Sequence, residues 1–194
     1  MIKIARKGAV VASASLALCL AAAACSSSSS SSSPSGGSSS SASSSSGATV
    51  SISVAQFTRD FSAMSVLKPL AAAGKGNVAV ILPDTVTSAR YTQFDAPYLT
   101  QALSKAGLSS SQFTVQNAQG SDATELSDAQ TAITKGASVL IMDPLDAGVG
   151  AQIETYAKAH GVAVIDYDRL TLGGSRGYYV SFNNVLVGTK IGQG

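Results

Sequence analysis

Two polar segments of this chain bring a carboxylate, a guanidinium and a phenol close together in sequence. They are Asp84-Thr85-Val86-Thr87-Ser88-Ala89-Arg90-Tyr91 and Asp166-Tyr167-Asp168-Arg169. A carboxylate accepts hydrogen bonds from hydroxyls, a guanidinium donates them in a planar fork, and an aromatic ring offers a flat apolar face. Arg90, Tyr91, Asp168 and Arg169 therefore supply the parts needed to grip a neutral ring dressed with hydroxyls. A plainer reading fits the same spacing: Asp168 and Arg169 pair with each other at a strand end. Asp143 and Asp146, on either side of Pro144-Leu145, add two carboxylates that line such a site or cap the helix that follows.

A competing class is a secreted enzyme that uses Asp143 with Asp146, or Asp166 with Asp168, as acid and base. No residue is assigned a catalytic role, and no metal or cofactor is assigned. Both cysteines, Cys19 and Cys25, precede the folding part, which leaves no thiol there for a disulfide, a zinc site or a nucleophile. His160 is the sole histidine and stands at the end of an expected helix, where a contact with the helix dipole accounts for it. The net charge of +2 includes Lys3, Arg6 and Lys7, so the chain beyond Cys25 is slightly acidic and has no basic run. Binding to nucleic acid by phosphate neutralisation is unsupported.

The elements that must position these residues begin after a biased N-terminal quarter. Residues 1–24 have a basic start and an apolar stretch from Ala9 to Ala24 too short for a comfortable membrane span, which reads as a signal peptide. Small residues precede Cys25, the expected site of lipidation and hence of membrane attachment; simple cleavage after the alanines is the alternative. Residues 25–49 are dominated by serine and read as a flexible tether.

From residue 50 to 194 the pattern is that of one α/β domain. Asn77–Leu82, Phe113–Gln116, Ser138–Met142, Val162–Tyr167 and Tyr178–Phe182 read as strands, several of them continuous apolar runs suited to a parallel sheet covered on both faces. Helices are expected at Phe61–Ala73, at Arg90–Ala106 with a start or kink at Pro97, from Asp122 with a capping-box partner at Glu125, and from Val149 to His160 with Gly161 just beyond. A further helix starts near Asn184. Repeated βα units build a doubly wound parallel sheet, and ligands bind beyond the carboxyl ends of its strands. Arg90, Tyr91, Asp143, Asp168 and Arg169 all fall on that edge.

The segments VAVILPDTVTSARY, AQTAITKGASVLIMDPLDAG, GVAVIDYDRL and YYVSFNNVLVGTKIGQG resemble the periplasmic sugar-binding proteins of the ribose and xylose type, most closely the xylose-binding branch. The resemblance runs from about Phe57 to Gly194. It implies the N-terminal lobe of a type I periplasmic-binding-protein fold, a monosaccharide ligand, and delivery to the membrane subunits of an ABC permease from the outer face of the cytoplasmic membrane. A sugar-sensing receptor component is the alternative. By resemblance Asp168 and Arg169 hold sugar hydroxyls, Arg90 matches an arginine of the first loop, Tyr91 stacks on the ring, and Asp143 lines the cleft less directly. Asn183 stands where the family has aspartate, which puts a binding role there in doubt. The family continues into a hinge and a second lobe, so a truncated copy with impaired binding is the expectation.

Overall fold

A computed structural model describes residues 49–194; the expected signal peptide, Cys25 and all but the last residue of the expected tether lie outside them. None of the helices among the described residues is long and apolar enough to cross a membrane.

Five strands form one all-parallel sheet: β1 (Asn77–Leu82), β2 (Phe113–Asn117), β3 (Ala137–Met142), β4 (Ala163–Tyr167) and β5 (Tyr178–Val180), in the order β2-β1-β3-β4-β5. Each begins and ends within about two residues of its expected place. β5 is the exception in kind: it stops at Val180, where the Asp168 amide takes the Val180 carbonyl, and Ser181 turns its hydroxyl back onto the Asp168 carbonyl.

The helices are α1 (Lys68–Ala73), α2 (Ala96–Lys105), α3 (Asp122–Thr134), α4 (Ala147–Ala159) and α5 (Asn184–Gln193). α1 continues a 3-10 segment, Ser62–Leu67, so the expected helix from Phe61 is present but tightened in its first half. α2 is entered through a wide π turn at Tyr91–Asp95, and Pro97 sits at its start. Proline removes a donor and crowds the preceding turn, and a turn with one extra residue absorbs both defects.

α3 and α4 pack side by side on one face. Ala129, Ala132 and Ile133 of α3 and Val149, Ile153 and Ala157 of α4 meet Ala79, Ile81, Leu140, Met142 and Val164 of the strands. Burying such aliphatic side chains stabilises by roughly 1.5–3 kcal/mol each for the larger ones. Gly161 takes φ 70° just past α4, as a left-handed C-terminal cap requires. His160 places Nδ1 2.8 Å from the Tyr156 carbonyl and stacks on the Tyr156 ring, a local role with no link to the charged edge.

One expected cap is corrected. The N-cap of α3 is Ser121, whose hydroxyl accepts from the Thr124 amide, and Glu125 does not close a capping box. Glu125 is fully buried and accepts instead from the Leu145 amide at 3.0 Å, tying α3 to the loop after β3. A buried carboxylate gains more from an otherwise unpaired amide in the interior than from a solvated helix end.

The strand order reverses direction between β1 and β3, the switch point at whose carboxyl edge wound sheets bind ligands.

Candidate functional site

The loop after β1 is shaped by Asp84. This buried carboxylate accepts from the Val86 and Thr87 amides at 2.8 and 2.7 Å and from the Thr87 hydroxyl. Burial alone would raise its pKa; those donors reverse that and hold it below the ordinary carboxylate value. Asn117, at the end of β2, donates to the Asp84 carbonyl at 2.7 Å. The loop is thereby braced before it delivers Arg90 at the head of the π turn.

Arg90 is the hub of the edge. Its Nε donates to Asp95 Oδ2 at 2.8 Å and its Nη1 lies 3.0 Å from Asp168 Oδ2. Burial opposes its charge, yet Asp95 and Asp168 outweigh that and keep the guanidinium protonated well above its ordinary range. The guanidinium also lies over the rings of Tyr91 and Phe182, at 5.2 and 5.3 Å. Asp95 receives a second bond, from the Tyr167 hydroxyl at 2.9 Å. Burial first, and the Asp95 charge next, push the Tyr167 phenol up to about 12.

Asp168 reaches this cluster because of its backbone. In an unbroken strand, residues two apart share a face, which would send Asp168 to the same side as Asp166. Asp168 instead adopts φ 66°, a left-handed conformation, and its carboxylate swings to Arg90 on the side of Tyr167. The Tyr179 and Ser181 hydroxyls both donate to the Asp168 carbonyl, at 3.0 and 2.8 Å, and hold the turn in place.

Arg169 spans the gap to the loop after β3. Nη1 donates to the Pro144 and Leu145 carbonyls at 3.1 and 3.3 Å, Nη2 donates to the Tyr91 hydroxyl at 2.9 Å, and Nε is 3.5 Å from Asp143 Oδ1. Asp143 is completely buried, and neither of its oxygens has a hydrogen-bond partner among the described residues. Burial pushes its carboxyl up to about 7, with Arg169 pulling the other way. The expected alternative, an ion pair between Asp168 and Arg169, is not formed: each takes a partner from another loop.

All five sequence-predicted residues, Arg90, Tyr91, Asp143, Asp168 and Arg169, meet at this edge. Tyr91 is 4% exposed and two guanidiniums lie over its ring, which leaves little of it for stacking on a ligand. Phe182, at 57%, is the open aromatic surface beside Asp168; the two help line a small cavity of about 150 Å³ with Tyr167, Val180 and Ser181. Asp95 and Phe182 are additions that sequence reading missed. A spacing of five from Arg90 signals no helical pair, and only the π turn brings Asp95 onto it. Asp146 caps α4, accepting from the Gly148 and Val149 amides, and Asn183 caps α5 through the Leu186 amide. Neither belongs to the cluster.

Comparison with known proteins bears on the fold that carries these residues. Residues 78–194 match the model described as periplasmic binding protein domain. The D-xylose-binding periplasmic protein of Escherichia coli is 34% identical over 74 residues, 38% of this chain and 22% of that protein. The multiple sugar-binding periplasmic receptor ChvE of Rhizobium radiobacter is 32% identical over 121 residues, 62% of this chain and 33% of that one. Among solved structures, a carbohydrate transporter solute-binding protein from Chloroflexus aurantiacus in complex with D-glucose is 35% identical with a TM-score of 0.52, covering 60% of this chain and 33% of that chain. An ABC transporter solute-binding protein from Clostridium phytofermentans with bound β-D-glucose gives 29% and 0.54, covering 60% and 35%. The chain spans from about a fifth to a third of the length of these relatives.

Proposed function

The chain belongs to the periplasmic binding protein domain family, and from that premise we propose that it is an extracytoplasmic receptor for a monosaccharide of the xylose type. On this reading it is held to the membrane through a lipid on Cys25, with the serine-rich segment as its leash, and it delivers sugar to the membrane subunits of an ABC importer. Its role is binding and not catalysis: Asp146 caps a helix and Asp166 faces away from Asp168, so neither proposed acid–base pair faces a common point.

The observation that carries the reading is unspent hydrogen-bonding capacity at the edge. Arg90 Nη2 and both oxygens of Asp143 are buried without a hydrogen-bond partner among the described residues, beside the Asp168 carboxylate and the Arg169 fork. Buried polar atoms are nearly always satisfied, and a ring carrying vicinal hydroxyls both donates to such a carboxylate and accepts from such a guanidinium. Among the described residues this grip comes from one side.

The test is a nuclear magnetic resonance titration with D-xylose and D-glucose up to tens of millimolar. Expected are saturable shifts at Arg90, Tyr91, Asp143, Asp168 and Arg169, larger for xylose, and their loss in Asp168→Asn. Absence of any saturable shift at these residues, or shifts centred elsewhere, would overturn the assignment.

A further inference from the structure

A second charged cluster lies on the opposite side of β4, and the binding reading does not use it. Glu154 of α4 is 1% exposed, Asp166 of β4 and Thr171 are fully buried, and Arg176 reaches in from the connection between β4 and β5. Arg176 Nε lies 3.6 Å from Asp166 Oδ2 and its Nη1 3.8 Å from Glu154 Oε1. The Asp166 carboxylate accepts from the Thr171 amide at 2.7 Å, and Arg176 Nη1 donates to the Thr171 carbonyl. Asp166, Thr171 and Arg176 thus close a ring in which both backbone groups of Thr171 are clamped.

Two glycines let the backbone approach this ring closely. A Cβ on Gly174 would overlap the Glu154 carboxylate, and one on Gly150 would stand 2.5 Å from Thr171 Oγ1. The connection from Asp168 to Gly177 therefore lies directly on α4, pinned also where the Ser175 hydroxyl donates to the Glu154 carbonyl and the Gly177 amide to Val164. Thr171 follows Arg169 by two residues, so the ring fixes one end of the short segment whose other end is the left-handed turn at Asp168.

We propose that Arg176 is a positioning residue for the ligand grip: with Asp166 it clamps Thr171 and so holds Arg169 across Asp143, Tyr91 and the Pro144-Leu145 carbonyls. Glu154 completes the clamp as a second buried carboxylate on the same guanidinium. The Thr171 hydroxyl and the Ser175 and Arg176 amides face Glu154 without reaching hydrogen-bond geometry, so Arg176 is its only charged partner among the described residues. The proposal rests on the reading of Arg169 and Asp143 as part of a sugar site, but its first readout needs no sugar.

Asp143 reports where Arg169 is, because Arg169 is its nearest countercharge. In Arg176→Met the freed segment lets Arg169 leave, and the Asp143 carboxyl, followed by carbon-detected resonance, titrates higher by about one pH unit. The Thr171 amide loses hydrogen-exchange protection at least tenfold, and Arg176→Lys restores part of both. Should Arg176→Met fail to fold, Asp166→Asn serves, since it keeps an acceptor for the Thr171 amide but removes one of the two charges facing Arg176. An unchanged Asp143 titration in a folded variant, or an equal change in Arg176→Lys, overturns the proposal. Xylose titration of the same samples separates the two ideas: a shifted Asp143 in a chain that binds no sugar leaves Arg176 a positioning residue and removes the binding reading.

Discussion

Two clusters of carboxylates around a guanidinium take Asp166 of β4 and Asp168 just past it, and they are built differently. At the carboxyl edge Arg90 lies 2.8 and 3.0 Å from its two carboxylates, with its own fork and neighbouring Asp143 still holding unpaired polar atoms. On the α4 side Arg176 lies 3.6 and 3.8 Å from two carboxylates that are completely sealed from water. The first cluster is close-bonded and only partly covered, with Arg90 and Asp168 reaching the sheet edge beside exposed Phe182 while Asp143 lies beneath them. The second is looser in distance but has nowhere to send its charge. On the binding reading the close-bonded cluster is the one that meets a ligand, and the sealed cluster is the one the fold depends on. A buried ion pair adds little net stability over apolar packing, but stripping one partner from it is costly.

The largest expected effect follows from that contrast. Arg176→Ala leaves Glu154 and Asp166 buried without a cation and costs about 3–5 kcal/mol in chemical denaturation. Arg90→Ala leaves Asp95 and Asp168 near the rim and costs about 1–2 kcal/mol, while abolishing the sugar-induced shifts. Equal losses for the two variants would erase the distinction.

A smaller effect concerns protons. Asp143 and Glu125 are both held near 7, mainly by burial, against an ordinary carboxyl value of about 4. The folded chain keeps protons there that the unfolded chain gives up. The stability tied to those protons is full below about pH 4 and is lost as pH rises through about 7. Thermal midpoints should fall by several degrees from pH 5 to pH 8, and Asp143→Asn should flatten part of that slope. A midpoint that rises over this interval would contradict the sealed character of Asp143.

Asp146→Ala belongs to neither cluster. It removes the α4 cap at a cost of about 1 kcal/mol in denaturant and should leave the sugar-induced shifts at Arg90 and Asp168 in place. The smallest effect is expected for Thr171→Val. The Thr171 hydroxyl is buried and unpartnered, so replacing it with a methyl should change stability by less than about 0.5 kcal/mol in either direction. The clamp acts through the Thr171 backbone, and hydrogen exchange at its amide should be unaltered.

Much of the scaffold was legible in the sequence because its signals are local. Continuous Val and Ile runs mark β1 and β3, and the Val149-Ile153-Ala157 spacing marks α4. The five edge residues were found because each follows a strand in a wound sheet, a rule of topology that needs no knowledge of side-chain partners. What stayed hidden is pairing across distance. Asp95 joins Arg90 only through a turn of irregular width. Glu125 looked like a capping partner because its spacing is right, and nothing local shows that the Leu145 amide, 20 residues on, is the stronger claimant. Arg176 carried no motif at all. Its importance comes from two carboxylates on other elements and from two glycines that let the backbone approach.

The left-handed turn at Asp168 has a consequence for anyone reshaping this surface. Only glycine, asparagine and aspartate adopt that conformation at low cost, so the position accepts a narrow alphabet whatever the ligand. A randomised library there should return almost nothing else, while Phe182, in ordinary backbone and open to solvent, is where diversity can be introduced without fighting the chain. On the binding reading, retuning toward a different ring is therefore a matter of changing the wall beside the carboxylate and leaving the carboxylate alone.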